Sequence, residues 1–209
     1  MNIWAWKPFL KLMRLLLRVW FRFRAYNEEA TRIEGPVLLI PNHLSWIDWL
    51  FVGLCVDPDW KFVASVVPTR HSKLHAWILS NPRIILTDNQ SPYAVKEMAA
   101  HLEKGGKLIL FAEGRMSRTG TMQRLFDGSG FLLQKTHAKV ITCHLHGAQR
   151  VLASPHRGWT KWFPKVSAHF SDPKEPPKYE GLKPADERAR LTQWLRDQMV
   201  QQQFDVDME

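Results

Sequence analysis

Hydrophobic and polar positions along this chain follow two alternating rhythms. Short continuous apolar runs recur at "VLLIP" (37–41), "KFVASV" (61–66), "RIILT" (83–87), "KLILFAEG" (107–114) and "AKVITCHLHG" (138–147), with "KVSAHFS" (165–171) as a last one. Runs of that length and β-branched content predict buried strands. Between them the spacing turns helical: from Ser45 to about Val56, over 71–80, and over 91–106. The third of these opens on Ser91–Pro92 and stops at Gly105–Gly106, the residue types that start and end helices. Pro184 opens a final amphipathic helix with Leu191, Trp194, Leu195 and Met199 on one face. Apolar strands separated by helices predict an α/β fold with a mostly parallel central sheet flanked by helices. The Pro-rich 171–184 reads as a surface loop, and "FDGSG" (126–130) as a Gly-rich turn.

The first 34 residues follow a different pattern. In "KPFLKLMRLLLRVWFRFR" (7–24) no apolar run exceeds three residues, so the segment is not a spanning helix. It also lacks the clean apolar stretch and small-residue cleavage site of a signal peptide. Lys7, Lys11, Arg14, Arg18 and Arg22 fall on one helical stripe beside a broad apolar face holding Leu10, Met13, Leu17, Trp20 and Phe21. An all-positive stripe beside an apolar face predicts an amphipathic helix lying in a membrane interface. The expected organisation is a membrane-associating segment over 1–34 followed by one domain over 35–209.

Composition sharpens this picture at two points. Across 209 residues, 29 Lys and Arg against 20 Asp and Glu leave a net charge of +9, which calls for an anionic partner. Ten Trp and eleven Phe suit a lipid surface as well as stacked bases. No nucleic-acid-binding motif is present and the cations concentrate on an apolar helix, so the membrane is the expected partner and nucleic acid is not. Cys55 and Cys143, the only cysteines, each sit in an apolar run, which predicts two buried free thiols in a reducing compartment.

In open α/β sheets, sites gather beyond the carboxyl ends of strands. Two predicted strands run into the most polar local sequences of the chain, "PNHLSWID" and "AEGRMSRTG". In the first, Ser45 and Asp48 match a capping box, Ser at N-cap and an acid at N3. His43, five residues before Asp48, is placed for its imidazole to reach that carboxylate. The acid would then fix one tautomer and leave the other nitrogen as a general base. Asn42 and Ser45 border the pair and shape the turn. No protein nucleophile accompanies the base: Ser129 is not in a G-x-S-x-G elbow and neither cysteine has a polar setting. A hydroxyl of the substrate is therefore the group to be activated, although a thioesterase acting on water needs the same base.

The H-x-x-x-x-D block, followed about 65 residues later by "FAEGRMSRTG", resembles the glycerophospholipid acyltransferase family. The likeness runs from about Pro36 to Gly147. It is similar above all to the acyltransferase domain of bifunctional 2-acylglycerophosphoethanolamine acyltransferase/acyl-acyl-carrier-protein synthetases, with "FDGSGF" and "KVITCHLHGA" as further points of similarity. The resemblance implies transfer of an acyl chain from a coenzyme A or acyl-carrier-protein thioester to a lysophospholipid hydroxyl, without an acyl-enzyme or a cofactor. His43 would be the base and Asp48 its orienting partner. Glu113, Gly114 and Arg115 would bind the lysolipid phosphate, with Arg118 assisting.

The chain departs from the broad family pattern. Ala112 stands for Pro, Arg115 takes the Thr position, Met116 the usual Arg position, and Thr142 replaces a Pro. Asp88 follows "IILT" where the family has an arginine, and an acid there disfavours a doubly charged phosphate monoester. These departures favour a lysophosphatidylethanolamine-like acceptor, with 1-acylglycerol-3-phosphate as the alternative. His144 and His146 share a strand face, but no third ligand is evident and no metal is expected. Arg70, His71, Lys73 and His75 read as a basic rim for a carrier protein or coenzyme A phosphates. The expected place of action is the cytoplasmic face of the inner membrane, with the chain peripheral.

Overall fold

A computed structural model describes residues 7–65, 81–87, 92–155 and 160–208, and side chains within these from Lys11 on and excepting Pro92. The helix expected over 71–80, the basic rim within 70–75 and Asp88 lie outside the described residues. Among the described residues seven strands form one sheet: β1 (Arg24–Tyr26), β2 (Val37–Pro41), β3 (Trp60–Ser65), β4 (Ile84–Thr87), β5 (Lys107–Ile109), β6 (Lys139–His146) and β7 (Ser167–Phe170). Their order is β1-β7-β6-β2-β5-β3-β4. Every neighbouring pair is parallel except β6–β7, where 167–170 returns against 143–146.

The central strands are apolar on both sides because both faces of the sheet are covered. Val37, Leu39, Ile141, Cys143 and Leu145 face a core shared with α1 (Lys7–Trp20) and α2 (Asp48–Gly53). Leu38, Ile40, Leu108, Leu110 and Val140 face the opposite core, packed by α3 (Pro92–Glu103), α4 (Gly128–Thr136) and α5 (Pro184–Met208). The α5 face expected from the sequence is the buried one, at Leu191, Leu195 and Met199. Both thiols are buried and free, and burial pushes the Cys55 thiol up to about 12.

Three elements differ from the sequence expectation. Residues 128–136 form a helix and not a turn extending from 126; Gly130 is required there because a Cβ would collide with the Arg188 carbonyl of α5. The strand expected over 107–114 stops at Ile109, leaving the Glu113 block free as a loop. Residues 24–26 enter the sheet as β1, and Leu17 and Phe23 are in the core, so the fold draws on residues before 35.

α1 packs by a narrow row, Met13, Leu17 and Phe21. Its outward side carries Leu12, Leu15, Leu16, Val19 and Trp20, all exposed. Arg14 of the basic stripe is turned toward Glu28 in an ion pair. No helix among the described residues is long and apolar enough to cross a membrane.

Candidate active site

β2 and β5 are neighbours in the sheet, so the two polar blocks that follow them come together beyond the carboxyl ends of the strands. Asn42 continues β2 towards β6: its side-chain Oδ1 accepts the Leu145 N–H at 2.7 Å and its own N–H reaches the Cys143 carbonyl at 3.2 Å. That pairing holds the chain straight up to His43, and Asn42 is a positioning residue.

His43 is fixed on four sides. Its Nδ1–H donates to Asp48 Oδ2 at 3.0 Å, its backbone N–H donates to Glu113 Oε1 at 3.0 Å, and its carbonyl accepts the Ser117 N–H at 2.8 Å. The ring lies against Phe111, centroids 4.6 Å apart. An ionised carboxylate only accepts, so the proton of the neutral imidazole sits on Nδ1 and Nε2 is the basic nitrogen. The imidazole is 23% exposed while the Asp48 side chain is fully buried, so the base is open to a substrate and its partner is not.

Asp48 differs in detail from the expected capping box. The helix begins at Asp48 itself, with Ile47 in the N-cap position and no side-chain cap bond. Ser45 does not cap an N–H; its hydroxyl donates to Asp48 Oδ1. The acid half of the box does form, since Asp48 Oδ2 accepts the Ser45 N–H at 2.8 Å, and the Leu44 N–H as well. One buried carboxylate thus gathers two backbone N–H groups, a hydroxyl and the imidazole, and these bonds stand in for the charge's lost hydration. The loop is tied further by Ser154 Oγ donating to the Leu44 carbonyl at 3.0 Å and by the Trp46 N–H donating to the Ala153 carbonyl at 3.1 Å.

In the second block both Glu113 oxygens are engaged by backbone N–H groups, that of His43 and that of Gln123 at 2.8 Å. Burial raises its pKa and these two bonds oppose the rise. A carboxylate used in this way positions the His43 loop and offers a phosphate nothing. Gly114 turns the chain with φ of 66°, a left-handed conformation that strains any L side chain. Arg115 and Arg118 are exposed, with no ion-pair partner among the described residues. Sequence reasoning missed Phe111, Ser117 and Gln123 as supports of His43. Phe111 lies in a run that reads as strand, and the other two act through their backbone N–H, which no residue type signals.

No competing nucleophile approaches the base among the described residues. Ser129 is buried in α4 and its hydroxyl has no partner, while both thiols are buried with raised pKa values. At the carboxyl end of β6, α5 supplies what the sequence did not show beside His144 and His146: Asp207. Its Oδ1 is 3.2 Å from His146 Nδ1 and 4.0 Å from His144 Nε2, a set whose ligand atoms are close enough to share an ion. Burial lowers the His144 pKa to about 4, which keeps that ring neutral.

Comparison with known proteins gives the family and the fold. The Acyltransferase family model matches residues 22–146. The chain is 21% identical over 165 residues to the chloroplastic 1-acyl-sn-glycerol-3-phosphate acyltransferase of Arabidopsis thaliana, covering 71% of this chain and 45% of that protein. A Brassica napus counterpart is also 21% identical, with 71% and 46% covered. The chain thus spans less than half the length of the curated relatives it matches. The crystal structure of the 1-acyl-sn-glycerophosphate acyltransferase PlsC from Thermotoga maritima superposes with a TM-score of 0.66 at 19% identity, over 93% of this chain and 80% of that one, and shows the same fold. The match over 22–146 takes in both polar blocks and the strands that carry them, and the chain belongs to the acyltransferase family.

Proposed function

We propose that this protein acylates a lysophospholipid directly from an acyl thioester. The observation that carries this reading is the His43–Asp48 pair, with Nδ1 held by a buried carboxylate, Nε2 open, and no protein nucleophile beside it among the described residues. His43 Nε2 takes the proton of the lysolipid hydroxyl as its oxygen attacks the thioester carbonyl carbon. Collapse of the tetrahedral intermediate breaks the C–S bond, and the imidazolium returns its proton to the departing thiolate. Asp48 stabilises the imidazolium in between. Arg115 and Arg118, the free cations of the second block, are the groups to meet the acceptor phosphate, Arg115 by a forked pair of donors.

The favoured acceptor is lysophosphatidylethanolamine or a similar phosphodiester, on the strength of Asp88 and of the departures around Arg115. The named activity of the plant relatives supports 1-acylglycerol-3-phosphate as the second reading. The donor is a coenzyme A or acyl-carrier-protein thioester. The outward apolar side of α1, beside its cations, supports peripheral attachment to a membrane, and the cytoplasmic face is the proposed side.

Purified protein in liposomes with a radiolabelled acyl thioester and a panel of lysolipids tests all of this at once. Diacyl product from wild type and none from folded His43→Ala supports transfer, and the panel names the acceptor. Free fatty acid without acceptor-dependent product would assign a hydrolase, and equal rates for the two proteins would remove His43 from the chemistry.

A further inference from the structure

α1 is not the only part of the surface that turns large apolar groups outward. In the segment 160–165, Trp162 is 68% exposed and Phe163 59%, and on α1 Val19 is 71% exposed. Single exposed hydrophobes are ordinary, but a contiguous set from two distant segments is not. These two are contiguous: the Trp20 and Phe163 rings lie 5.3 Å apart, and Trp20 Nε1–H donates to the Trp162 carbonyl at 2.8 Å. Arg22 donates to the Phe163 carbonyl at 2.9 Å, and the Val166 N–H to the Phe21 carbonyl at 3.0 Å. The loop is therefore held to the end of α1 by backbone-directed bonds that leave both rings facing out. A loop that only filled space would turn its Trp and Phe inward.

The fringe fixes the chemistry of what covers this face. Lys11, Arg18, Arg22, Lys161 and Lys165 are exposed around it. Apolar centre, aromatic edge and an all-positive fringe match the acyl boundary and headgroups of an anionic bilayer. The surface also leads to the site. The Lys161 N–H donates to the Arg150 carbonyl, Leu152 just beyond is exposed, and Ala153 holds the Trp46 N–H in the loop that carries His43 and Asp48.

We propose that residues 160–165, through Trp162 and Phe163, are a second membrane-inserting element that continues the face of α1 toward His43 and seats the active-site edge on anionic lipid. This rests on the membrane attachment proposed above and adds to it a second contact, which fixes the tilt of the domain on the bilayer. One contact along α1 would leave the domain free to roll about the helix axis; two non-collinear contacts stop it, so a lysolipid hydroxyl in the headgroup layer can meet His43.

The test is co-sedimentation of the full chain with vesicles of phosphatidylcholine containing phosphatidylglycerol, and with phosphatidylcholine alone. Wild type is compared with Trp162→Ser/Phe163→Ser and with Leu15→Ser/Leu16→Ser in α1, after matching melting temperatures. Loss of two inserted rings should weaken partition into anionic vesicles at least about tenfold. Lys161→Glu/Lys165→Glu, which keeps the rings, should weaken binding to anionic vesicles only, and serves where the serine variant folds poorly. Wild type that ignores vesicles overturns membrane attachment as a whole. Vesicle binding lost in the α1 variant but intact in both loop variants overturns the second contact alone. A lipid-free dimer that dissociates in the loop variant, with vesicle binding unchanged, would give the face to a second copy of the chain.

Discussion

Glu113→Gln separates positioning from substrate contact. In the native site one carboxylate oxygen accepts the His43 N–H at 3.0 Å and the other the Gln123 N–H at 2.8 Å. Glutamine keeps one acceptor and turns an NH2 group against the other N–H. A hydrogen bond to a charged partner is worth about 1.5–3 kcal/mol, and one of two is lost. Removing a buried charge whose pKa burial already raises offsets part of that. The net expectation is destabilisation of about 1–2 kcal/mol, which lowers the melting temperature by roughly 2–8 °C in a domain of this size. The freed backbone of His43 lets the base drift, and a misplacement of about 1 Å costs on the order of 10²-fold. Steady-state acyl transfer should then show kcat down by roughly 10–100-fold, with the KM for lysolipid within about twofold of wild type. If KM rises tenfold or more while kcat holds, Glu113 touches the acceptor and its assignment as a positioning residue is wrong.

Three further outcomes follow from the same geometry. Asp48→Asn replaces an acceptor-only group by one that presents NH2 to donors, so kcat should fall on the order of 10²–10⁴-fold with some loss of stability, measured by acyl-transfer kinetics and a urea melt. Arg115→Ala and Arg118→Ala should raise the KM for phosphate-bearing lysolipids and leave the melting temperature unchanged, because neither arginine has an ion-pair partner among the described residues; unchanged KM in both would remove the arginines from the phosphate site. His144 has its folded pKa lowered to about 4 from 6.5, so its neutral form is favoured in the fold and stability is lost as pH falls below the unfolded value. Between pH 7.5 and 5 that amounts to roughly 2 kcal/mol, which wild type should lose and His144→Gln should not, in parallel urea melts.

The fold was legible where strands are buried on both faces. "VLLIP" became β2 at residues 37–41 because nothing but apolar contacts surrounds it, and a parallel central strand leaves that signature. β1 was not legible: three residues at the sheet edge, alternating in exposure, carry no periodic signal, and they pair only because β7 returns beside them. α4 was hidden for a different reason. Its two glycines weaken helix propensity, and one of them, Gly130, is there to admit α5, a tertiary demand that overrides the local one.

The site divides in the same way. Residue type marked His43 and Asp48 as a candidate pair beside the capping-box use of Asp48. Their mutual contact was foreseen, but the part played by Ser45 was inverted: its hydroxyl donates to Asp48 in place of capping an N–H. The reason is that the carboxylate is fully buried and must collect donors from the protein, and a serine hydroxyl three residues back is within reach. Glu113 shows the limit more sharply. Its identity pointed to a polar role, yet its partners are the backbone N–H groups of residues seventy positions back and ten ahead, which only the adjacency of β2 and β5 brings within reach. The same adjacency explains why the two blocks work as one unit. On the proposed reading the first supplies the base, and the second clamps the backbone of His43 at both N–H and carbonyl and then turns at Gly114 ahead of Arg115. If that reading holds, a substitution that moves either strand end disturbs proton transfer and phosphate contact together, although neither chemical group has been changed.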